Sequence, residues 1–148
     1  MIYVEKHIHI LSHAAMLTRR NFLVSFALAT GCTRPAKSLK DALPGQVQRA
    51  WILKKTEVLP SEEAPAMIRS LGLRQAIRAV YEGNGSITVR MFEMNVEASA
   101  FELIQKWRQR DGLALYKGPY FFVAQGEGVD QATLSSFLQA FQQELKTT

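Results

Sequence analysis

Residues 77–92 read IRAVYEGNGSITVRMF, two alternating runs around Gly83-Asn84-Gly85. The loop chosen fixes which side chains share a face, because side chains alternate along a strand. A two-residue Asn84-Gly85 turn sets Ile77 opposite Phe92 and Ala79 opposite Arg90, which mixes the faces. A loop through all three residues, with Gly85 left-handed, sets Glu82 opposite Ser86 and Tyr81 opposite Ile87. Ile77, Ala79, Tyr81, Ile87, Val89 and Met91 then lie on one face. Arg78, Val80, Glu82, Thr88, Arg90 and Phe92 lie on the other. The second register separates apolar from polar cleanly and is the one expected.

Outward from this hairpin the pattern changes period. Val96, Ala100, Phe101, Leu103, Ile104 and Trp107 fall on one helical stripe, with Asn95 as the expected cap and Gly112 as the stop. Glu102 and Lys106 form a favourable i,i+4 pair. A second hairpin follows, Leu113–Tyr116 and Tyr120–Gln125, turning through Lys117-Gly118-Pro119. Pro119 has no N–H to donate and belongs to the turn. Asp130 caps a last helix, residues 131–146, with Leu134, Phe137, Leu138, Phe141 and Leu145 on one stripe. Before the first hairpin, Ser61 with Glu62 and Glu63 starts a short helix carrying Met67, Ile68 and Leu71, and Gly72 stops it. Trp51–Leu53 and Thr56–Val58 are apolar-rich and compatible with extended chain.

The order is strand-strand-helix, twice, after a short helix. It predicts an α+β domain over residues 49–148: a four-stranded, mostly antiparallel sheet with both amphipathic helices on one face. Phe121 and Phe122 point to opposite sides of their strand, so one of them needs cover from a helix, a partner or a second copy.

The N-terminus reads as an address. Residues 16–32 are MLTRRNFLVSFALATGC. Thr18-Arg19-Arg20-x-Phe22-Leu23 precedes an apolar run to about Thr30, far shorter than the ~20 residues of a membrane-spanning helix. Basic, then apolar, then small is the order of a signal peptide. Arg19, Arg20, Phe22 and Leu23 resemble a twin-arginine export signal, with Val24 where Lys is usual. Leu28-Ala29-Thr30-Gly31-Cys32 resembles a lipobox, which implies cleavage before Cys32 and lipid on its sulfur. Each buried methylene adds ~0.8 kcal/mol of membrane affinity, so several chains hold firmly. Ala27-Leu28-Ala29 is a rival A-x-A site, which would leave Cys32 a free thiol. Met16 is a plausible true start, in place of Met1. The expected division is a signal over 1–31, a lipid anchor and tether over 32–48, then the domain.

Composition narrows the chemistry. All three histidines of the 148-residue chain, His7, His9 and His13, lie ahead of Cys32, as does Glu5, and Cys32 is the one cysteine. A mature chain from Cys32 keeps 117 residues and a net charge of +3, spread along its length, which does not mark a nucleic-acid binder. Without histidine or a second cysteine it has no Ser-His-Asp triad, no dithiol and no histidine metal site. No metal or other cofactor is expected. Gly126-x-Gly128 lacks the spacing of a phosphate loop. Glu82 and Glu93 fall on opposite faces, against a paired-carboxylate site. Trp107, Tyr116, Tyr120, Phe121 and Phe122 are candidate pocket aromatics, though such spacing more often makes core. Arg78 opposite Arg90 is unfavourable unless an anion or Glu82 intervenes: either this is a solvated face with Glu82 screening both arginines, or the pair is the candidate contact for an anion or an acidic partner.

Tyr81-Glu82-Gly83, Val89-x-x-Phe92-x-Met94, Ala98-x-Ala100-Phe101 and Lys117-Gly118-x-Tyr120 together resemble an uncharacterised family of exported bacterial proteins, many of them lipoproteins. The likeness spans roughly residues 43–126. It implies an extracytoplasmic α+β lipoprotein and brings no catalytic residue. The expectation is a non-enzymatic binding module, anchored through its lipid to the outer side of the cytoplasmic membrane or to an outer membrane, facing the periplasm, with a protein partner. The alternative is an accessory subunit of an exported redox or envelope complex.

Overall fold

Three hairpins build one antiparallel sheet. A computed structural model describes residues 38–108 and 112–147. The export signal at Arg19, Arg20, Phe22 and Leu23, the lipid site at Cys32, the three histidines and both possible starts lie outside the described residues. The strands are β1 (Gln46–Val47), β2 (Trp51–Val58), β3 (Leu73–Gly83), β4 (Gly85–Met94), β5 (Leu113–Lys117) and β6 (Tyr120–Glu127). The helices are α1 (Leu39–Ala42), α2 (Ala66–Ser70), α3 (Glu97–Lys106) and α4 (Gln131–Glu144), with a 3-10 turn at Ser61–Glu63. Strand order is β1-β2-β3-β4-β6-β5, and every pairing is antiparallel.

The β3–β4 register is the expected one. Tyr81 pairs with Ile87, Glu82 with Ser86 and Arg78 with Arg90. Gly85 is at φ +125°, a conformation closed to most side chains. Gly83 is required by space instead: a Cβ there would lie 2.6 Å from the Ala50 carbonyl oxygen, where β2 begins.

The α+β class holds, with six strands in place of four. The additional pair, β1 and β2, joins through Gln48 and Arg49, both left-handed at φ 52° and 57°. Hairpin turns of this kind usually carry Asn or Gly, so Gln48-Arg49 carries no local turn signal. Helix α4 holds the turn: the Gln48 side-chain amide donates to Ser136 Oγ at 2.9 Å, and the Gln48 N–H donates to Glu144 Oε1 at 3.3 Å. In β2 a bulge at Lys54 breaks the alternation. Residues 38–48, expected as tether, carry α1 and β1, and Leu39, Ala42, Leu43 and Val47 are buried.

The helices do not share a face. Helix α4 lays Leu134, Phe137, Leu138 and Phe141 on Ile77, Ala79, Tyr81, Val89, Met91 and Phe122, and α1 joins the same side. Helix α3 lays Ala100 and Leu103 on the opposite side, with Phe92, Phe121 and Val123, and α2 adds Ile68. The reason lies in β6, where Tyr120 through Ala124 are all buried. A strand apolar on both sides needs a layer on each. Phe121 thus receives its cover from α3, and Phe122 from α4. The cap of α3 also differs: Val96 occupies the N-cap without a side-chain bond. The Asn95 side chain is instead crowded against Gly72. Asp130 caps α4 as expected, accepting from the Thr133 N–H at 2.8 Å. That bond holds its carboxyl below the usual carboxylate range.

Candidate functional site

The α3 side of the sheet is a series of cross-strand rows, each two residues from the next. Ala76, Phe92, Phe121 and Tyr116 form an apolar row, with α2 and α3 packed against it. Next come Glu57, Arg78, Arg90 and Val123. Lys55, Val80, Thr88 and Gln125 follow, then Ile52, Glu82, Ser86 and Glu127. Cover decreases along this series. Phe92 and Phe121 are buried, Arg78, Val80, Thr88 and Arg90 are half-buried, and Glu82 and Glu127 are exposed. Helix α3 has ten residues and does not extend over the whole face.

Arg78 and Arg90 are direct cross-strand neighbours, as the sequence reading required. Such pairs have Cβ atoms about 4.5–5.5 Å apart, and two like charges there repel. The structure treats them unequally. Arg78 Nη1 lies 3.3 Å from Glu57 Oε2, and its Nη2 lies 3.8 Å from Glu63 Oε2. Glu57 also attracts Lys55 at 3.9 Å. Among the described residues, no acid pairs with Arg90. Glu82, expected to screen both arginines, makes no ion pair either; Glu57 and Glu63 serve Arg78 instead. An anion beside Arg90 would relieve both its own half-burial and the repulsion from Arg78.

The other sequence candidates separate. Phe121 stacks with Phe92 at 6.3 Å and meets Trp107 edge-on at 5.2 Å, while Phe122 meets Phe141 at 5.2 Å across the sheet. The aromatics therefore belong to two cores and line no common pocket. Trp107 Nε1 is buried without a hydrogen-bond partner. Gly126 and Gly128 lead into α4, whose N-terminus the Asp130 carboxylate already fills. Among the described residues, no group of three or more His, Cys, Asp or Glu is placed to hold a metal. Among the described residues, a cleft of about 350 Å³ is lined by Gly112, Gln125, Gly126 and Leu134. No described helix is long and apolar enough to cross a membrane.

The sequence reading missed Lys55, Glu57 and Glu127 as members of this face. Their signal was present only once β2 and the β4–β6 pairing were known, because rows form between strands distant in sequence. No protein-family model matches the chain, and no curated protein and no solved structure matches it.

Proposed function

We propose that the chain is an exported lipoprotein, held through Cys32 to the periplasm-facing side of a membrane, whose domain acts as a non-enzymatic binding module. The observation carrying this reading is the segment MLTRRNFLVSFALATGC, with the one cysteine of the chain at its end. The resemblance of residues 43–126 to exported bacterial proteins points the same way. The first described residue, Ser38, lies six positions beyond Cys32. A six-residue connection reaches at most ~20 Å, so a lipid on Cys32 would keep the domain close to the headgroups. The binding surface in this reading is the partly uncovered sheet face with Arg78 and Arg90, whose half-buried, unpaired Arg90 would accept an acidic group of a protein partner. The reading includes no catalytic residue and no cofactor.

Export gives the test. Changing Arg19 and Arg20 together to Lys blocks transport through the twin-arginine route, and the chain accumulates unprocessed inside the cell. Continued export of that variant would overturn the signal assignment. Changing Cys32 to Ser leaves export intact and moves the protein from the membrane fraction to the soluble periplasm. Retention in the membrane would overturn the lipid assignment.

A further inference from the structure

The two edges of the sheet are guarded to different degrees. The β2 edge has β1 across Trp51 and Ile52, then a bulge at Lys54 and the lysines Lys54 and Lys55. Bulges and lysines hinder pairing with another chain. From Leu113 to Tyr116 the β5 edge has neither. All of β5 is half-buried, and Phe101 of α3, 46% exposed, meets Tyr116 edge-on at 5.7 Å beside it. Strands β5 and β6 join through the two-residue turn Gly118-Pro119, so Lys117 and Tyr120 form the closing hydrogen-bonded pair. Bonding alternates along an antiparallel strand. Leu113, Leu115 and Lys117 therefore bond to β6, while Ala114 and Tyr116 turn their N–H and C=O groups outward. The Tyr116 carbonyl has that direction: it accepts from the Gln142 side-chain amide of α4 at 2.7 Å. The Ala114 N–H and C=O and the Tyr116 N–H have no outward partner among the described residues. On the α4 side of this edge lies a groove of about 140 Å³, lined by Leu113, Leu115, Ser135, Leu138 and Gln139.

We propose that β5 pairs antiparallel with β5 of a second copy, about a two-fold axis perpendicular to the sheet at Ala114. Each Ala114 then faces its own copy, and the two exchange both N–H···O=C bonds. Each Tyr116 N–H meets the Gly112 carbonyl of the second copy. Gly112 has no side chain, which leaves room for the Gln142 amide on the Tyr116 carbonyl. A register centred on Leu115 would instead direct the Ala114 N–H at that carbonyl, which Gln142 already serves. On the α4 side, Leu113 stands opposite Leu115 of the second copy, and leucine extends over the groove. The helices supply complementary charge. Helices α3 and α4 each pack across β5 and β6, so the axis sets each beside its own copy and antiparallel to it. Helix α3 carries Glu97 and Glu102 in its first half, with Lys106 and Arg108 at its end. The acidic half of one α3 thus lies beside the basic end of the other. At this edge α4 presents Ser135, Gln139 and Gln142, all uncharged, so no like charges meet there. The contact is isologous, as closed dimers require, and needs no lipid on Cys32.

The full chain carrying Cys32→Ser, with neither lipid site nor free thiol, tests the proposal. It sediments as a monomer–dimer equilibrium at concentrations up to about 100 µM. In the dimer the Ala114 and Tyr116 amides exchange with deuterium at least tenfold more slowly than in the dilute monomer. Ala114→Pro removes the central N–H without breaking a bond to β6, and weakens dimerisation at least tenfold. Gln139→Glu sets like charges beside the axis and weakens it severalfold. An equimolar mixture with Gln139→Lys restores dimers, because the two charges then attract. Gln139 is exposed, so both of these variants fold, and circular dichroism checks each one. A chain that stays monomeric at about 100 µM overturns the proposal and leaves the edge to a strand of another protein. So does a dimer whose Ala114 and Tyr116 amides exchange as fast as the monomer's, or a folded Ala114→Pro chain that associates as tightly as the unaltered one. If Ala114→Pro does not fold, the Gln139 variants decide, and a mixture that fails to restore dimers overturns the proposal.

Discussion

The two faces of the sheet are built from the same strands but carry different loads. On the α4 side, every inward residue of β3 and β4 from Ile77 to Tyr81 and from Ile87 to Met91 is buried. An edge-to-face aromatic cluster links Trp51, Tyr81, Phe122, Phe137 and Phe141. On the α3 side, burial stops partway. Phe92 and Phe121 are covered, and Arg78, Val80, Thr88 and Arg90 are not fully so. The difference is a division of work. The α4 side supplies stability, and the α3 side supplies less stability and a patterned surface.

Substitutions can break that contrast. Phe137→Ala removes a fully buried ring in contact with Trp51, Tyr81 and Phe141. It should cost about 3–5 kcal/mol in denaturant unfolding, the largest effect expected. Leu103→Ala, on the α3 side, opens a cavity under a shorter helix beside Phe121. About 2–4 kcal/mol is expected there. If Leu103→Ala costs more than Phe137→Ala, the ranking of the two faces is reversed.

Tyr81 offers a finer probe of the α4 side. Its hydroxyl donates to the Pro44 carbonyl at 2.8 Å inside the core. Tyr81→Phe leaves that carbonyl short of a partner and should cost about 1–3 kcal/mol. Burial, aided by the nearby charge of Glu144, raises the phenol well above its ordinary value. The unfolded tyrosine ionises near pH 10 while the folded one keeps its proton. The folded state therefore binds more protons, and stability falls as pH rises past about 10. In urea titrations across alkaline pH, Tyr81→Phe should flatten this slope. An unchanged slope would remove Tyr81 as its source.

The smallest effect belongs to the open half. Arg90→Ala should change stability by no more than about 0.5 kcal/mol, because it removes no ion pair and eases repulsion with Arg78. A loss above 2 kcal/mol would make Arg90 part of the structural core.

Much of this contrast was legible in residues 77–92, because strict alternation around Gly83-Asn84-Gly85 leaves one register that separates the faces. The stripe of α4 was equally readable, from Leu134 to Leu145. The β1–β2 hairpin was not. Its turn uses Gln48 and Arg49 in left-handed conformations held by contacts to α4, a tertiary cause with no local mark. Nor was the second helical layer. The paired Phe121 and Phe122 required cover on both sides, but which helix takes which side depends on β6 sitting between β4 and β5. For the candidate site, Arg78 and Arg90 could be placed opposite one another from the hairpin alone. The partners of Arg78, Glu57 and Glu63, come from a stretch read only as extended chain and a helix start, with no pairing to β3 assigned.

The proposed lipid anchor would decide where such a surface operates. Intact-mass analysis of the chain extracted from membranes tests it most directly. The expected result is a mature protein beginning at Cys32 and carrying the added mass of several acyl chains. An unmodified protein beginning at Thr30, with Cys32 a free thiol, would contradict it.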